Sequence, residues 1–132
     1  MSDSKAALVT GSTSGIGLGI ATALAKAGMN VTLNGLGDAA EIEKTRASLE
    51  REAGVSVRYD GANLMQAEAC AGMIESAVGA FGRLDVLVNN AGIQFVSPIE
   101  DFPVDKYNAI IALNLSSAFH TIRAAMRGMK ER

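Results

Sequence analysis

The chain has 132 residues, 48% of them hydrophobic and 20% charged, with a net charge of −2 from 14 acidic and 12 basic side chains. That length suits one domain, 1–132, and the composition is globular rather than disordered. Scattered charges offer no basic stripe to nucleic acid or to an anionic membrane, no apolar run approaches the ~20 residues that span a bilayer, and one cysteine (Cys70) with one histidine (His120) leaves a disulfide or metal centre without material. The start, Met1 to Lys5, lacks the basic-then-apolar layout of a signal peptide, so a reducing, cytoplasmic setting is expected.

Short apolar runs alternate with longer helical stretches. Lys5 to Thr10 reads as a strand ended by Gly11, and Gly15 to Ala27 as a helix with Ile16, Ile20, Leu24 and Ala27 at helical spacing before Gly28. Val31 to Asn34 is a second strand. Asp38 suits the N-cap of a helix reaching Ala53, with Ile42 and Leu49 inward and Gly54 closing it. Val55, Val57 and Tyr59 alternate as a third strand. The next helix, about Gln66 to Phe81, carries Ala69, Met73, Ala77 and Phe81 on one face. Leu84 to Asn89 is the fourth strand, and Pro103 suits the first turn of a last helix running towards Gly128. Tyr107, Ile110, Ile111, Asn114, Leu115, Ala118, Ile122 and Met126 lie on or near one side of it. Four strand–helix units in strict alternation predict an α/β fold, a doubly wound parallel sheet of order 3-2-1-4. Ligands of such sheets sit at the switch point, here after strands one and four.

Thr10-Gly11-Ser12-Thr13-Ser14-Gly15-Ile16-Gly17 lies between a predicted strand and a predicted helix. Gly11 can take the sharp turn, Gly15 can admit a pyrophosphate to the backbone, and Gly17 can bring helix and strand together. Unpaired amides of the first helical turn would then face the phosphates, with Ser12, Thr13 and Ser14 as hydroxyl donors. The spacing differs from G-x-G-x-x-G and from a P-loop, and a plain strand–helix turn is the alternative. Asn89-Asn90-Ala91-Gly92 follows the fourth strand directly. Its two amides can tie loops together and bond a ribose, or form only a polar turn.

These two segments and the later Asn114, in this order and spacing, resemble the short-chain dehydrogenase/reductase family across essentially the whole chain. Finer matches, Leu33-Asn34-Gly35, Ala91-Gly92-Ile93-Gln94, Ile99 to Pro103 and Ala112 to Leu115, resemble members that interconvert D-3-hydroxybutyrate and acetoacetate. The resemblance implies a tetrameric, NAD-dependent Rossmann-type oxidoreductase acting on a small hydroxy acid or keto acid. It implies a cofactor cradle of Gly11, Thr13, Ser14, Gly15, Ile16 and Gly17. Leu36, Asn63, Leu64, Asn90, Ala91 and Gly92 complete it. Gln94 would help hold the substrate carboxylate. Asn114 would kink its helix so that a carbonyl holds a water of the proton relay, with a buried, packed asparagine as the alternative. The family's pattern has a histidine where Phe95 stands and an aspartate where Asn63 stands.

No Lys or Arg follows the second strand until Lys44, which favours NAD over NADP. Asp38 reads equally as a helix cap or a ribose contact. The family's serine and Tyr-x-x-x-Lys are absent: Tyr59 and Tyr107 are followed four residues on by Asn63 and Ile111. The chain is therefore expected to stop after the fourth unit, short of the proton chemistry, and to be inactive alone. Its fourth strand would remain an edge and its last helix an unpartnered subunit surface. A non-catalytic dinucleotide-binding module or association partner is the alternative, and a flavodoxin-like phosphate or flavin binder is a third.

Overall fold

The computed structural model describes residues 4–132; of the segment on which the reading of the chain's start rests, Met1 to Asp3 lie outside it. Four strands, β1 (Ala6–Val9), β2 (Asn30–Asn34), β3 (Val57–Asp60) and β4 (Val86–Val88), form one parallel sheet of order β3-β2-β1-β4. The register sets Leu33 beside Tyr59, and Val9 beside both Leu33 and Val88, so the carboxyl ends of all four strands open on one edge.

Between the strands run α1 (Gly15–Lys26), α2 (Ala39–Ala53) and α3 (Ala67–Phe81), followed by α4 (Val104–Ile110), a π-helical segment (Ile111–Ser116) and α5 (Ser117–Lys130). Alternation along β1 sends neighbouring side chains to opposite faces. Leu8 joins Met73, Ile74, Leu84 and Ala125 in one core layer under α3 and α5. Val9 joins Ala21, Ala25, Val31, Leu33 and Leu49 in the other, under α1 and α2. The sheet is thus covered on both faces, as strict alternation of strands and helices requires.

Asp38 caps α2, its Oδ2 accepting from the Glu41 amide at 3.0 Å, while Gly54 ends that helix at φ 69°. Ile42 and Leu49 face inward as expected. Two other faces differ from their expected positions. In α1 the buried residues are Gly17, Ala21 and Ala25, while Ile16 is 79% exposed. Small side chains let the helix lie close to the sheet, and the larger apolar ones flank that stripe. In α3 the buried face is Cys70, Met73, Ile74 and Ala77, turned by one position from Ala69 and Phe81.

The last helix spans the expected length but widens to π geometry at Ile111–Ser116, around Asn114. Pro103 precedes its first residue rather than occupying the first turn. Its buried residues are Ser117, Thr121 and Ala125, and the apolar stripe of Tyr107, Ile111, Leu115, Ile122 and Met126 faces outward. Among the described residues no helix is long and apolar enough to cross a membrane.

Candidate dinucleotide site at the switch point

A cleft of about 320 Å³ opens at the carboxyl ends of the strands. Its wall is built from four loops and one helix. The glycine loop contributes Gly11, Thr13 and Ser14, the end of β2 contributes Asn34, Gly35 and Leu36, and the β3–α3 loop contributes Ala62, Asn63, Leu64 and Met65. Asn90, Ala91 and Gly92 close it from β4, with Leu113 of the π segment behind them.

The glycine loop is held from both sides. Gly11 turns off β1 at φ 60°, and its missing side chain matters doubly, because a Cβ there would lie 2.9 Å from the Cα of Ala91. On the β4 side, the Thr10 hydroxyl oxygen accepts from the amides of Asn90 at 2.9 Å and Ala91 at 3.0 Å. The Asn90 side chain returns two bonds, donating to the carbonyls of Thr10 at 3.2 Å and Gly11 at 3.0 Å. Gly17 sits under this junction, where a Cβ would collide with the Gly11 carbonyl and the Asn90 amide.

On the β2 side, Ser12 is fully buried. Its hydroxyl donates to the Val9 carbonyl at 2.6 Å and accepts from the Asn34 amide at 3.0 Å, while its own amide donates to the Asn34 carbonyl at 2.6 Å. Ser12 therefore does not supply a hydroxyl donor to the cleft, contrary to the sequence expectation. Both its polar groups are consumed in anchoring the loop. The amides left for an anion begin after it, at the head of α1, where the first turn of a helix has no intrahelical acceptors. Gly15, at φ 59° with open space where a Cβ would stand, lets a ligand approach that head.

Of the residues singled out in sequence, Gly11, Thr13, Ser14, Leu36, Asn63, Leu64, Asn90, Ala91 and Gly92 come together around the cleft. Leu64 does so with its side chain turned into the core. The Asn63 side-chain oxygen accepts from the Met65 amide at 3.1 Å, shaping its own turn. Gly15 and Ile16 are exposed beside the cleft rather than in its wall, and Gly17 lies beneath it. Gln94 is exposed on the loop beyond Gly92. Asn114 stands behind that loop, its amide exchanging two bonds of 2.9 Å with the backbone of Ile93. It is exposed in this chain. Thr10 and Asn34 were given no role of their own from sequence, because their partners lie 22 to 81 residues away.

None of the residues lining the cleft carries an acidic or basic side chain, so its wall offers backbone groups, hydroxyls, amides and apolar surface. Tyr59 is committed elsewhere, its hydroxyl donating to the Gly35 carbonyl at 2.5 Å, and Tyr107 is exposed beside Ile99, Phe102 and Val104. Ser117 donates to the Leu113 carbonyl at 2.6 Å, an intrahelical bond that faces no ligand. Among the described residues, no group of three or more His, Cys, Asp or Glu could hold a metal ion.

The chain resembles proteins of known identity along its whole length. It is 52% identical to D-beta-hydroxybutyrate dehydrogenase of Cupriavidus necator, an alignment covering 100% of this chain and 50% of that protein. Among solved structures, L-sorbose reductase of Gluconobacter frateurii, complexed with NADPH and L-sorbose, superposes with a TM-score of 0.91 at 32% identity, over 98% of this chain and 49% of that one. NAD+-bound xylitol dehydrogenase does so at 0.85 and 36% identity, over 95% and 48%. The chain thus spans about half the length of the relatives it matches. The family model for short chain dehydrogenase matches residues 5–132, and with the glycine loop, the Asn90 clamp and the sheet order all in place, the chain belongs to the short-chain dehydrogenase family.

Proposed function

We propose that this chain is the NAD-binding portion of an oxidoreductase that interconverts D-3-hydroxybutyrate and acetoacetate. The observation that carries the reading is the doubly anchored glycine loop, which sets the head of α1 beside one open cleft. A diphosphate would lie across Thr13 to Gly17. The adenosine half would extend towards Leu36, Asn63 and Leu64, and the nicotinamide ribose towards Asn90, Ala91 and Gly92. A bound dinucleotide supplies the hydride acceptor or donor. The residues of this chain hold and orient it. Gln94 would donate to a substrate carboxylate, and Asn114 would keep the Ile93 backbone and the widened helix in place beside it.

NAD is favoured over NADP because Gly35, Leu36 and Gly37 carry no cation to meet a 2′-phosphate. The similarity to D-beta-hydroxybutyrate dehydrogenase over the whole of this chain supports the substrate class. Subunits would associate through the outward apolar stripe of the last helix, as in a family tetramer, in a cytoplasmic setting. Titrating the purified chain with NADH and NADPH tests the reading. Tighter binding of NADH is expected, and preference for NADPH or binding of neither would overturn it.

A second reading, a dinucleotide-binding module without catalysis, is favoured by two observations: no acidic or basic side chain lines the cleft, and neither tyrosine has a lysine four residues on. General acid–base catalysis is worth roughly 10²–10⁴ in rate. No hydroxybutyrate-dependent NADH formation is expected from these 132 residues alone; turnover would refute that expectation.

A further inference from the structure

Asn34, the last residue of β2, is 1% exposed, and its side chain touches three backbone groups: one in the glycine loop, one at the end of β3 and one in the β3–α3 loop. Its Oδ1 accepts from the Gly11 amide at 3.2 Å. Its Nδ2 donates to the Asp60 carbonyl at 3.0 Å and to the Ala62 carbonyl at 3.3 Å. The partners fix which end of the amide is which, since an N–H must meet oxygen and two carbonyls must meet N–H. The Asn34 backbone is bonded in turn to Ser12 through both its N–H and its carbonyl. The glycine loop and the β3–α3 loop both line the cleft, and this one amide, at the end of the strand that lies between β1 and β3, bridges them. Only a side chain offering one acceptor and two donors from the same planar group can do this at that length. A carboxylate lacks the donors, and an aliphatic side chain lacks both.

We propose that Asn34 is a positioning residue. By locking the glycine loop to the β3–α3 loop, it sets the spacing at which the diphosphate and adenosine parts of a dinucleotide reach their surfaces together. Its role in binding rests on the dinucleotide reading above, whereas the coupling of the two loops does not. A buried hydrogen-bond hub whose partners are all backbone leaves each of them unsatisfied when it is removed, so the loops lose a common reference rather than a single contact.

The test compares the unaltered chain with Asn34→Leu, Asn34→Asp and a control, Leu49→Ala, whose core position between α2 and the sheet is remote from the cleft. NADH affinity is read by titration, and hydrogen exchange of individual amides is followed by NMR without ligand. In Asn34→Leu, NADH binding is expected to weaken at least tenfold, and two amides to exchange at least tenfold faster, together: that of Gly11, which loses its acceptor, and that of Ala62, whose own bond to Asp60 Oδ1 lies in the turn that Asn34 ties down through the Asp60 and Ala62 carbonyls. Asn34→Asp keeps the acceptor for Gly11 but sets oxygen against the two carbonyls. It should release Ala62 while Gly11 stays protected, and it carries the test if Asn34→Leu does not fold. Leu49→Ala should lower the melting temperature and leave NADH affinity and both amides unchanged. The proposal is overturned if Asn34→Leu binds NADH within twofold of the parent, or if the two amides respond no more than in Leu49→Ala. Should the parent itself fail to bind NADH, the dinucleotide reading falls, and the paired exchange rates still decide whether Asn34 couples the loops.

Discussion

No residue of β1 or β2 is more than 8% exposed, whereas every residue of β4 is partly exposed although it pairs with β1 in the same register. The three strands read alike in sequence: Ala-Ala-Leu-Val, Asn-Val-Thr-Leu-Asn and Val-Leu-Val. Their surroundings differ. β1 and β2 each have a strand on both sides and helices over both faces, while β4 has one described neighbour. The helices repeat the contrast. α1 presents Ala21 and Ala25 to the sheet and has no large apolar side chain exposed to solvent beyond its first turn, but the last helix leaves Leu115 64% and Phe119 61% exposed. The half of the molecule that frames the glycine loop is completed by its own contacts. The other half offers apolar surface outward.

The largest effects should fall where the loops meet. Gly17→Val would drive a side chain into the Gly11 carbonyl and the Asn90 amide, groups tied into the clamp and unable to give way. A loss of about 3 kcal/mol by chemical denaturation and no detectable NADH binding are expected. Two residues on, Gly19 has open space where its Cβ would stand, so Gly19→Ala should stabilise the helix by about 0.5–1 kcal/mol and leave binding alone. If both glycines behaved alike, the close approach under the loop would not be what Gly17 serves.

The same leucine-to-alanine change separates the two halves. Leu33 is inaccessible in β2, and truncating it leaves a cavity, at a cost of about 3 kcal/mol. Leu115→Ala, on the outward stripe, should change the stability of the monomer by less than about 0.5 kcal/mol. If the stripe is a subunit surface, that variant should instead reduce association by light scattering. Equal losses in the two melts would erase the distinction between the halves.

Asp85 gives a smaller, pH-dependent contrast at the head of β4. Its carboxylate pairs with Arg83 at 2.7 Å and accepts from the Ala6 amide at 2.8 Å, stitching β4 to β1. The bond from Arg83, with help from Ala6 and Arg132, outweighs burial and holds the Asp85 pKa below its ordinary value. A pKa lowered on folding adds stability that is complete above the unfolded value, ~3.9, and is lost as pH falls through the folded one. Asp85→Asn should cost about 1.5 kcal/mol at neutral pH and flatten the decline in stability below about pH 4. Glu43 is also lowered beside Arg46, but water screens that exposed pair, so it should contribute little to the same slope.

Sequence periodicity was enough for the strand order and for the ends of α2, because alternation, caps and glycine stops are local signals. Glycine spacing likewise located the loop. What it could not supply was which polar groups are already spent. Ser12 reads as a donor until its position against Asn34 is known, and Asn34 reads as an ordinary strand end until Gly11, Asp60 and Ala62 converge on it. The inner face of α1 eluded an apolar count for a related reason: the closest packing uses the smallest residues, Gly17, Ala21 and Ala25, and leaves Ile16 in solvent.

A last contrast concerns Asp38, the one residue whose two sequence readings were evenly matched. As a cap, it joins its Oδ2 to the Glu41 amide at 3.0 Å and places a negative charge at the positive end of α2. Removing such a cap typically costs about 1 kcal/mol. As a ribose contact, it would instead discriminate between the two nicotinamide coenzymes, since an acid opposes a 2′-phosphate. Asp38→Ala separates these roles: the melting temperature should fall while the ratio of NADH to NADPH affinities stays within about twofold of the parent, because the missing cation at Gly35 to Gly37, and not this carboxylate, sets the preference. Asp38→Ser, which can still cap, should recover the stability and again leave the ratio alone. If NADPH binding rose sharply in both variants, the carboxylate would be reading the ribose after all, and the glycine-loop half of the cleft would extend one turn further into α2.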